Sequence, residues 1–441
     1  MGGFLTYMSD CVVSPYSNQG KPAMKKASSA RSGSTFRSNP GRARNICAFI
    51  DGTWNRAGTR TPTNVRKLFD AIPEGVVKGR EQHKLYIPGV GKKPRADGGV
   101  LDEADYAVAL SRYLRRELPT GTATVGRWLI GGGFGRGTAA RIKAAYHFLC
   151  ENYDARRGDR VFLFGFSRGA FAARSLAGFT GRVGVLLADK LEHVERAYEI
   201  YERSEDPAQT ELADFLEQLT GVRVVTADSE FYLPIHFLGV WDTVASLGLP
   251  SRLEWLTAPF TEYHQVEVPP SVMTARHALA LHELRGLFEP LLWKRGAHTD
   301  LKQVWFAGAH ADVGGGYEAG EDALSNIALR WMATEAALCG LAVDGKAPWL
   351  KSADEPVVVH HEIRKMFVAT LPLPRKWLDV DEMIDWDSHY FHRSTLDYLL
   401  EADQVRYRFI HPFVNAALKR ADAWALSRAV ELRLHGQEIV E

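Results

Sequence analysis

The feature that most constrains this chain is Arg160-Val-Phe-Leu-Phe-Gly-Phe-Ser-Arg-Gly-Ala170. An unbroken apolar run, Val161 to Phe164, enters Gly165-Phe166-Ser167-Arg168-Gly169, and a small-residue helical pattern follows from Ala170 to Ala177. A short apolar run without polar alternation suits a parallel strand covered on both faces. Gly-x-Ser-x-Gly between such a strand and a helix is the signature of a nucleophile elbow, a turn so tight that bulk is excluded two residues before and two after the serine. Gly165 and Gly169 meet that need. The turn raises the Ser167 hydroxyl above the sheet and puts the Arg168 N–H at a helix start, where it can bind an oxyanion.

The rest of the chain must supply the sheet. With 441 residues there is room for a large core. The formal net charge is +1, so no global field points to nucleic acid. No apolar stretch approaches the ~20 residues of a membrane span, which limits any membrane contact to a peripheral one. Cys11, Cys47, Cys150 and Cys339 are scattered, and indicate neither a disulfide framework nor a zinc site. No secretory signal of the ordinary kind is expected at the N-terminus. Met1-Gly-Gly-Phe-Leu-Thr6 fits the loose myristoylation pattern, which often matches by chance.

Residues 1–44 read as a flexible basic, Ser-rich leader without acidic residues from Ser14 on, too poor in apolar surface to offset chain entropy. Ordered structure is expected from Asn45. Ile46–Ile50 reads as a buried strand running into Asp51-Gly-Thr-Trp54, with a helix from Asn64 to Ala71. This loop has two readings: it supplies an oxyanion amide from Gly52 or Thr53, or it is a strand-to-helix turn in which Asp51 bonds its own backbone. Lys84–Pro88 reads as a strand and 103–118 as a helix. Gly131–Gly137 lacks the Gly-Lys-Ser/Thr ending of a phosphate loop; it reads as a loop before a helix from Thr138 to Asn152. The 186–232 stretch, charged and helical in pattern to about residue 220, reads as a cap insertion. Pro234–Trp241 is a further strand, ending at Asp242. From 250 to 300 a second insertion is expected, with one helix from Val272 to Phe288 whose His277, His282 and Glu283 fit one helical face poorly and read as structural rather than metal-binding. Gln303–Ala307 is the last clear core strand and runs into a glycine-rich loop holding His310. A helix from Leu324 to Cys339 follows, then an extension over 346–441 with Trp377, Trp386, Tyr390 and Phe391 close together and a final helix near 414–434.

Ser167, Asp242 and His310 each follow an apolar run, in the chain order of the α/β-hydrolases. The expected fold is therefore α/β: a mostly parallel, doubly wound sheet with helical cap insertions and a helical C-terminal extension, the catalytic domain spanning 45–345. A serine hydroxyl needs a base to become a nucleophile. His310 can take its proton, Asp242 can hold the imidazole tautomer, and the Arg168 N–H with an amide of Gly52 or Thr53 can bind the oxyanion. No metal and no cofactor is expected at the site; a metal held by Asp51, His310 and Asp312 is the minor alternative.

Together, Asp51-Gly-Thr-Trp54 with Asn64, Gly165-Phe-Ser-Arg-Gly-Ala170, Gly239-Val-Trp-Asp-Thr243 and Ala309-His-Ala-Asp-Val-Gly-Gly-Gly-Tyr317 resemble a bacterial and fungal α/β-hydrolase domain family. Its best-known members are phospholipase effectors of the type VI secretion system. The resemblance covers about 45–345. It implies phospholipase A activity with Ser167, Asp242 and His310 as the triad. It also implies delivery into a competitor's envelope, with a phospholipid membrane surface, a spike protein of the secretion machinery and an immunity protein as partners; the scattered thiols fit synthesis in a reducing cytoplasm, and the charge balance gives no nucleic-acid partner. His282 stands where the family usually carries an acidic residue. A carboxylesterase for small soluble esters and a non-catalytic binding module on the same scaffold are the rival expectations.

Overall fold

In the computed structural model of the protein the described residues are 41–52, 61–89, 136–203, 205, 210–221, 235–244, 267–283, 285, 288–296, 299–350 and 389–392. The elements follow in the order β1 Arg44–Ile50, α1 Asn64–Ala71, β2 Gly75–Val77, β3 Arg80–Ile87, α2 Arg136–Asn152, β4 Arg160–Phe166, α3 Arg168–Val183, α4 Val194–Glu202, α5 Thr210–Thr220, β5 Ile235–Trp241, β6 Thr274–Ala280, β7 Asp300–Phe306, α6 His310–Gly314, α7 Ala323–Leu338 and β8 His389–Phe391. The eight strands form one sheet in the order β2-β3-β1-β4-β5-β6-β7-β8. Every pairing is parallel except β2 with β3.

The alternating side chains of the central strands explain why helices cover both faces. From β1 and β4, Ile46, Ala48, Ile50, Val161 and Leu163 face a layer built by α2 to α5. Cys47, Phe49, Phe162 and Phe164 face α1 and α7. Both sets are fully buried, which is why these strands read as continuous apolar runs. Phe49 stacks on Phe164 with ring centroids 4.8 Å apart, an arrangement that adds about 1 kcal/mol beyond the area buried.

Chain order and spatial order change direction at β1: the chain goes from β1 to β3 on one side, then crosses to β4 on the other. Such a switch point opens a crevice at the carboxyl ends of the two strands, where open α/β sheets bind ligands. Ile50 and Phe166 end β1 and β4 at that crevice.

The segment expected to form a cap contributes α4 and α5, and these helices pack on the outer helix layer. Tyr198 and Tyr201 join Phe179 of α3 at centroid distances of 5.4 and 5.5 Å, and Lys143 of α2 pairs with Glu195 at 2.8 Å.

Two expectations are corrected. The helix over Val272–Phe288 is instead β6 with an irregular tail, and the 250–300 stretch thus holds an interior strand of the sheet. All seven residues of β6 are buried, Arg276 and His277 included. The Arg276 charge is met by Asp300 at 2.6 Å and Glu335 at 2.5 Å. Two strands were also not anticipated. β2 is a short antiparallel edge, and β8 brings Tyr390 and Phe391 of the C-terminal extension into the sheet beside β7. Directly after β8, His392 stacks on Phe306 at 4.7 Å; burial, with the Arg330 charge nearby, pushes its imidazole down to about 4, so it is neutral near pH 7. The helices expected at 103–118 and 414–434 lie outside the described residues.

Candidate active site

Ser167 joins β4 to α3 with φ 56° and ψ −123°. That region is unfavourable for any residue with a Cβ and costs about 1–3 kcal/mol. The surroundings hold it there: the Ser167 N–H donates to Trp241 O at 3.0 Å, and Ser167 O accepts the Phe171 N–H at 3.2 Å. The two glycines have the tight contacts the turn demands. A Cβ at Gly165 would lie 2.4 Å from Gly169 O, and one at Gly169 would lie 2.1 Å from Ile50 O. Both obstacles are backbone and cannot rotate away. Gly169→Ala should therefore force α3 off the end of β1 and destabilise the fold by about 3 kcal/mol, the upper end of overpacking. A urea midpoint that falls while the slope holds would register it. Gly345→Ala, where a Cβ meets nothing within 4 Å, should leave the midpoint in place.

Asp242 follows β5, next to β4, and His310 follows β7. His310 opens the short helix α6 after β7, rather than lying in an open glycine loop. Its Nδ1 is 2.6 Å from Asp242 Oδ2. Asp242 is held at φ 38°; its N–H donates to Ala278 O at 2.7 Å and its Oδ1 accepts the Ala280 N–H at 3.0 Å. Both carboxylate oxygens are thus engaged, an arrangement that orients the side chain and strengthens a charge-assisted bond to the imidazole. Asp242 is 0% exposed, His310 6% and Ser167 7%, so all three are buried and Asp242 wholly so. The His310 ring packs against Phe166, the residue before Ser167, at 4.6 Å. Phe288 meets the same ring edge-on at 4.9 Å.

The loop after β1 is tied to its surroundings through Asp51. The Gly52 N–H, named from the sequence as one candidate oxyanion donor, here donates to Asp51 Oδ1 at 2.6 Å. Asp51 Oδ2 accepts from Thr63 Oγ1 and from the Tyr86 hydroxyl, each at 2.6 Å, and Arg141 donates to the Asp51 carbonyl at 3.0 Å. Burial pushes the Asp51 carboxyl above its ordinary range; the bonds from Thr63, Tyr86 and Gly52 and the Arg141 charge act against that shift. Asp51 is a structural knot that fixes the end of β1 and the start of α1. Thr53 lies outside the described residues. Arg168, the first residue of α3, has its N–H at a helix N-terminus, where no intrahelical acceptor exists.

Metal ligation by Asp51, His310 and Asp312 finds no support in the arrangement. Asp51 is bound as above, Asp312 Oδ2 accepts the Ala309 N–H at 2.9 Å, and among the described residues no three His, Cys, Asp or Glu side chains gather into a metal-binding group. His277 belongs to a polar network beneath the Asp242 loop: its Nε2 accepts the Thr243 N–H at 3.2 Å and its Nδ1 faces Gln303 Oε1 at 3.4 Å.

Residues 44–335, well over half of the chain, match the family model described as "T6SS, Phospholipase effector Tle1-like, catalytic domain". This chain belongs to that family. It is also similar to an uncharacterized protein of Saccharomyces cerevisiae, YEL023C, with 33% identity over 249 residues; the match takes in 56% of this chain and 32% of the yeast protein, so the chain spans about a third of that relative. Two solved structures are similar. One is an uncharacterized protein from Pseudomonas aeruginosa, at 19% identity over 72% of this chain and 49% of that chain, with a TM-score of 0.42. The other is the Tle1 effector bound to the VgrG spike from the Type 6 secretion system, at 18% identity over 64% and 53%, with a TM-score of 0.30.

Within this Tle1-like domain the sites named from the sequence sort into two groups. Asp242 and His310 are in contact, and Ser167 sits at the elbow beside them. The Gly52 N–H is bonded to the Asp51 carboxylate. Phe166, Phe288 and Glu283 surround His310 without having been assigned a role there. Their signal lay in position: Glu283 comes three residues after β6, at the same sheet edge as Asp242. Among the described residues no helix is long and apolar enough to cross a membrane.

Proposed function

We propose that this Tle1-like chain is a serine ester hydrolase of α/β-hydrolase type that removes an acyl chain from glycerophospholipids. The observation carrying the reading is the 2.6 Å contact of His310 Nδ1 with Asp242 Oδ2 beside a serine strained into an elbow. Held by Asp242, His310 uses Nε2 to take the Ser167 proton as the hydroxyl attacks the ester carbonyl. The Arg168 N–H and an amide of Thr53 stabilise the oxyanion. His310 then gives the proton to the leaving lysophospholipid alcohol, and water releases the fatty acid by the same steps in reverse. The positive end of α3 favours the same negative charge. Family membership supports a phospholipid substrate, passage through a type VI secretion machine with its spike protein as partner, a target-cell envelope as destination, and an immunity protein in the producer.

Product analysis tests this. With purified protein and phosphatidylglycerol or phosphatidylethanolamine vesicles, free fatty acid and lysophospholipid should appear in equal amounts. Diacylglycerol or a released phosphorylated headgroup would assign another bond. Saturation on short soluble esters with no gain on vesicles would assign a small-ester carboxylesterase. A Ser167 that resists a fluorophosphonate probe would assign a non-catalytic scaffold.

A further inference from the structure

The segment after β6 touches both members of the acid–base pair. The Ala280 N–H holds Asp242 Oδ1. The N–H groups of Leu281 and His282 donate to Phe306 O and Gly308 O at 3.0 and 2.9 Å, and the Gly308 N–H donates to His282 Nδ1 at 2.7 Å. This stitches the tail of β6 to the loop that carries His310. At its end Glu283, 1% exposed, accepts the His310 N–H on Oε2 at 3.2 Å. Arg285 grips the same carboxylate, with its N–H and Nε on Oε1 at 2.9 and 2.7 Å and Nη2 on Oε2 at 2.6 Å. The guanidinium lies 3.8 Å from the Phe288 ring centroid, and Phe288 is the ring set edge-on to His310.

We infer that Glu283 is a positioning residue for His310, locked by Arg285, and that this ion pair helps hold the imidazole and stabilise its cation. The inference rests on the reading of His310 as the base. A buried carboxylate is costly unless paired, and an amide could accept one backbone N–H equally well. The carboxylate gives what an amide lacks: a bidentate fork with Arg285 and a negative charge bonded to the residue that must become positive. The Arg285 charge reaches His310 from farther off, by way of Phe288. The titratable and charged groups about His310 are Asp242 after β5, His282, Glu283 and Arg285 after β6, Asp312 on α6 and Ser167 at the elbow.

The test is the pH dependence of Ser167 labelling by a soluble fluorophosphonate, which reads the free enzyme's base without any lipid. Glu283→Gln keeps an acceptor but removes the negative charge bonded to His310 and Arg285, so the midpoint of the acid limb should move down by about half a pH unit or more. Glu283→Gln with Arg285→Gln removes both charges and should bring the midpoint part of the way back. Glu283→Ala removes the anchor and should lower the plateau rate about ten-fold. A midpoint and plateau unmoved in both single variants, or a shift that the double variant leaves in place, overturns the inference. Should Glu283→Ala fail to fold, the isosteric Glu283→Gln shift and its partial reversal decide. A wild-type chain that resists the probe overturns the hydrolase reading and this inference with it; normal wild-type labelling with unshifted variants overturns this inference alone.

Discussion

Ser167→Ala is expected to reduce fatty-acid release from phospholipid vesicles about 10^4- to 10^6-fold in kcat while vesicle binding stays as in the wild type. The size comes from the chemistry: with the hydroxyl gone no acyl-enzyme can form, and only water attack assisted by oxyanion donors remains. At the upper limit the loss is worth about 8 kcal/mol of transition-state stabilisation. Alanine also keeps the backbone strain at φ 56°, so stability should change little and the loss can be assigned to the reaction. Release within ten-fold of wild type, from protein free of contaminating lipase, would remove Ser167 from the mechanism.

Asp242→Asn should cost about 10^4-fold, and the structure gives a local reason. Asp242 Oδ1 accepts the Ala280 N–H while Oδ2 faces His310 Nδ1. An asparagine must keep its oxygen on the Ala280 side, because an NH2 there would meet another donor. Its NH2 then faces Nδ1, which becomes an acceptor, and the ring proton moves to Nε2. In that tautomer His310 has no lone pair with which to take the serine proton. The side-chain volume hardly changes, so folding should be spared; kcat on vesicles and the rate of fluorophosphonate labelling should fall together. A drop below ten-fold in both would mean that Asp242 does not set the tautomer.

Much of this was legible before any coordinates. The elbow strand announced itself because β4 is covered on both faces and cannot alternate. Asn64–Ala71 was readable as a helix from its pattern, and the structure adds the Thr63 cap whose side chain accepts the Arg66 N–H. Asp242 and His310, which meet at 2.6 Å, could be named together from order alone, since each follows a parallel strand at its carboxyl end. The features that stayed hidden depend on contacts far along the chain. Thr274–Ala280 reads as helix because alanine dominates and Arg276 looks like a solvated position; its buried charge is answered by Glu335, fifty-nine residues away. Strand β8 is three residues long, and only the neighbouring strand makes it one. The bond between the Gly52 N–H and the Asp51 carboxylate was one of two readings of that loop, and the sequence alone could not favour it. Glu283 was invisible as a support for His310 because its meaning comes from a bond across twenty-seven residues.

The last strand of the sheet lies beside β7 although the chain between Phe306 and His389 also builds α6 and α7. During synthesis the outer rim of β7 must therefore wait, its amides and carbonyls open to any passing polypeptide, until the ribosome has extended the chain through Phe391. A shortened gene product cut at residue 335, where the family match ends, would never close that rim. Such a fragment would retain Ser167, Asp242 and His310 yet carry an adhesive flank.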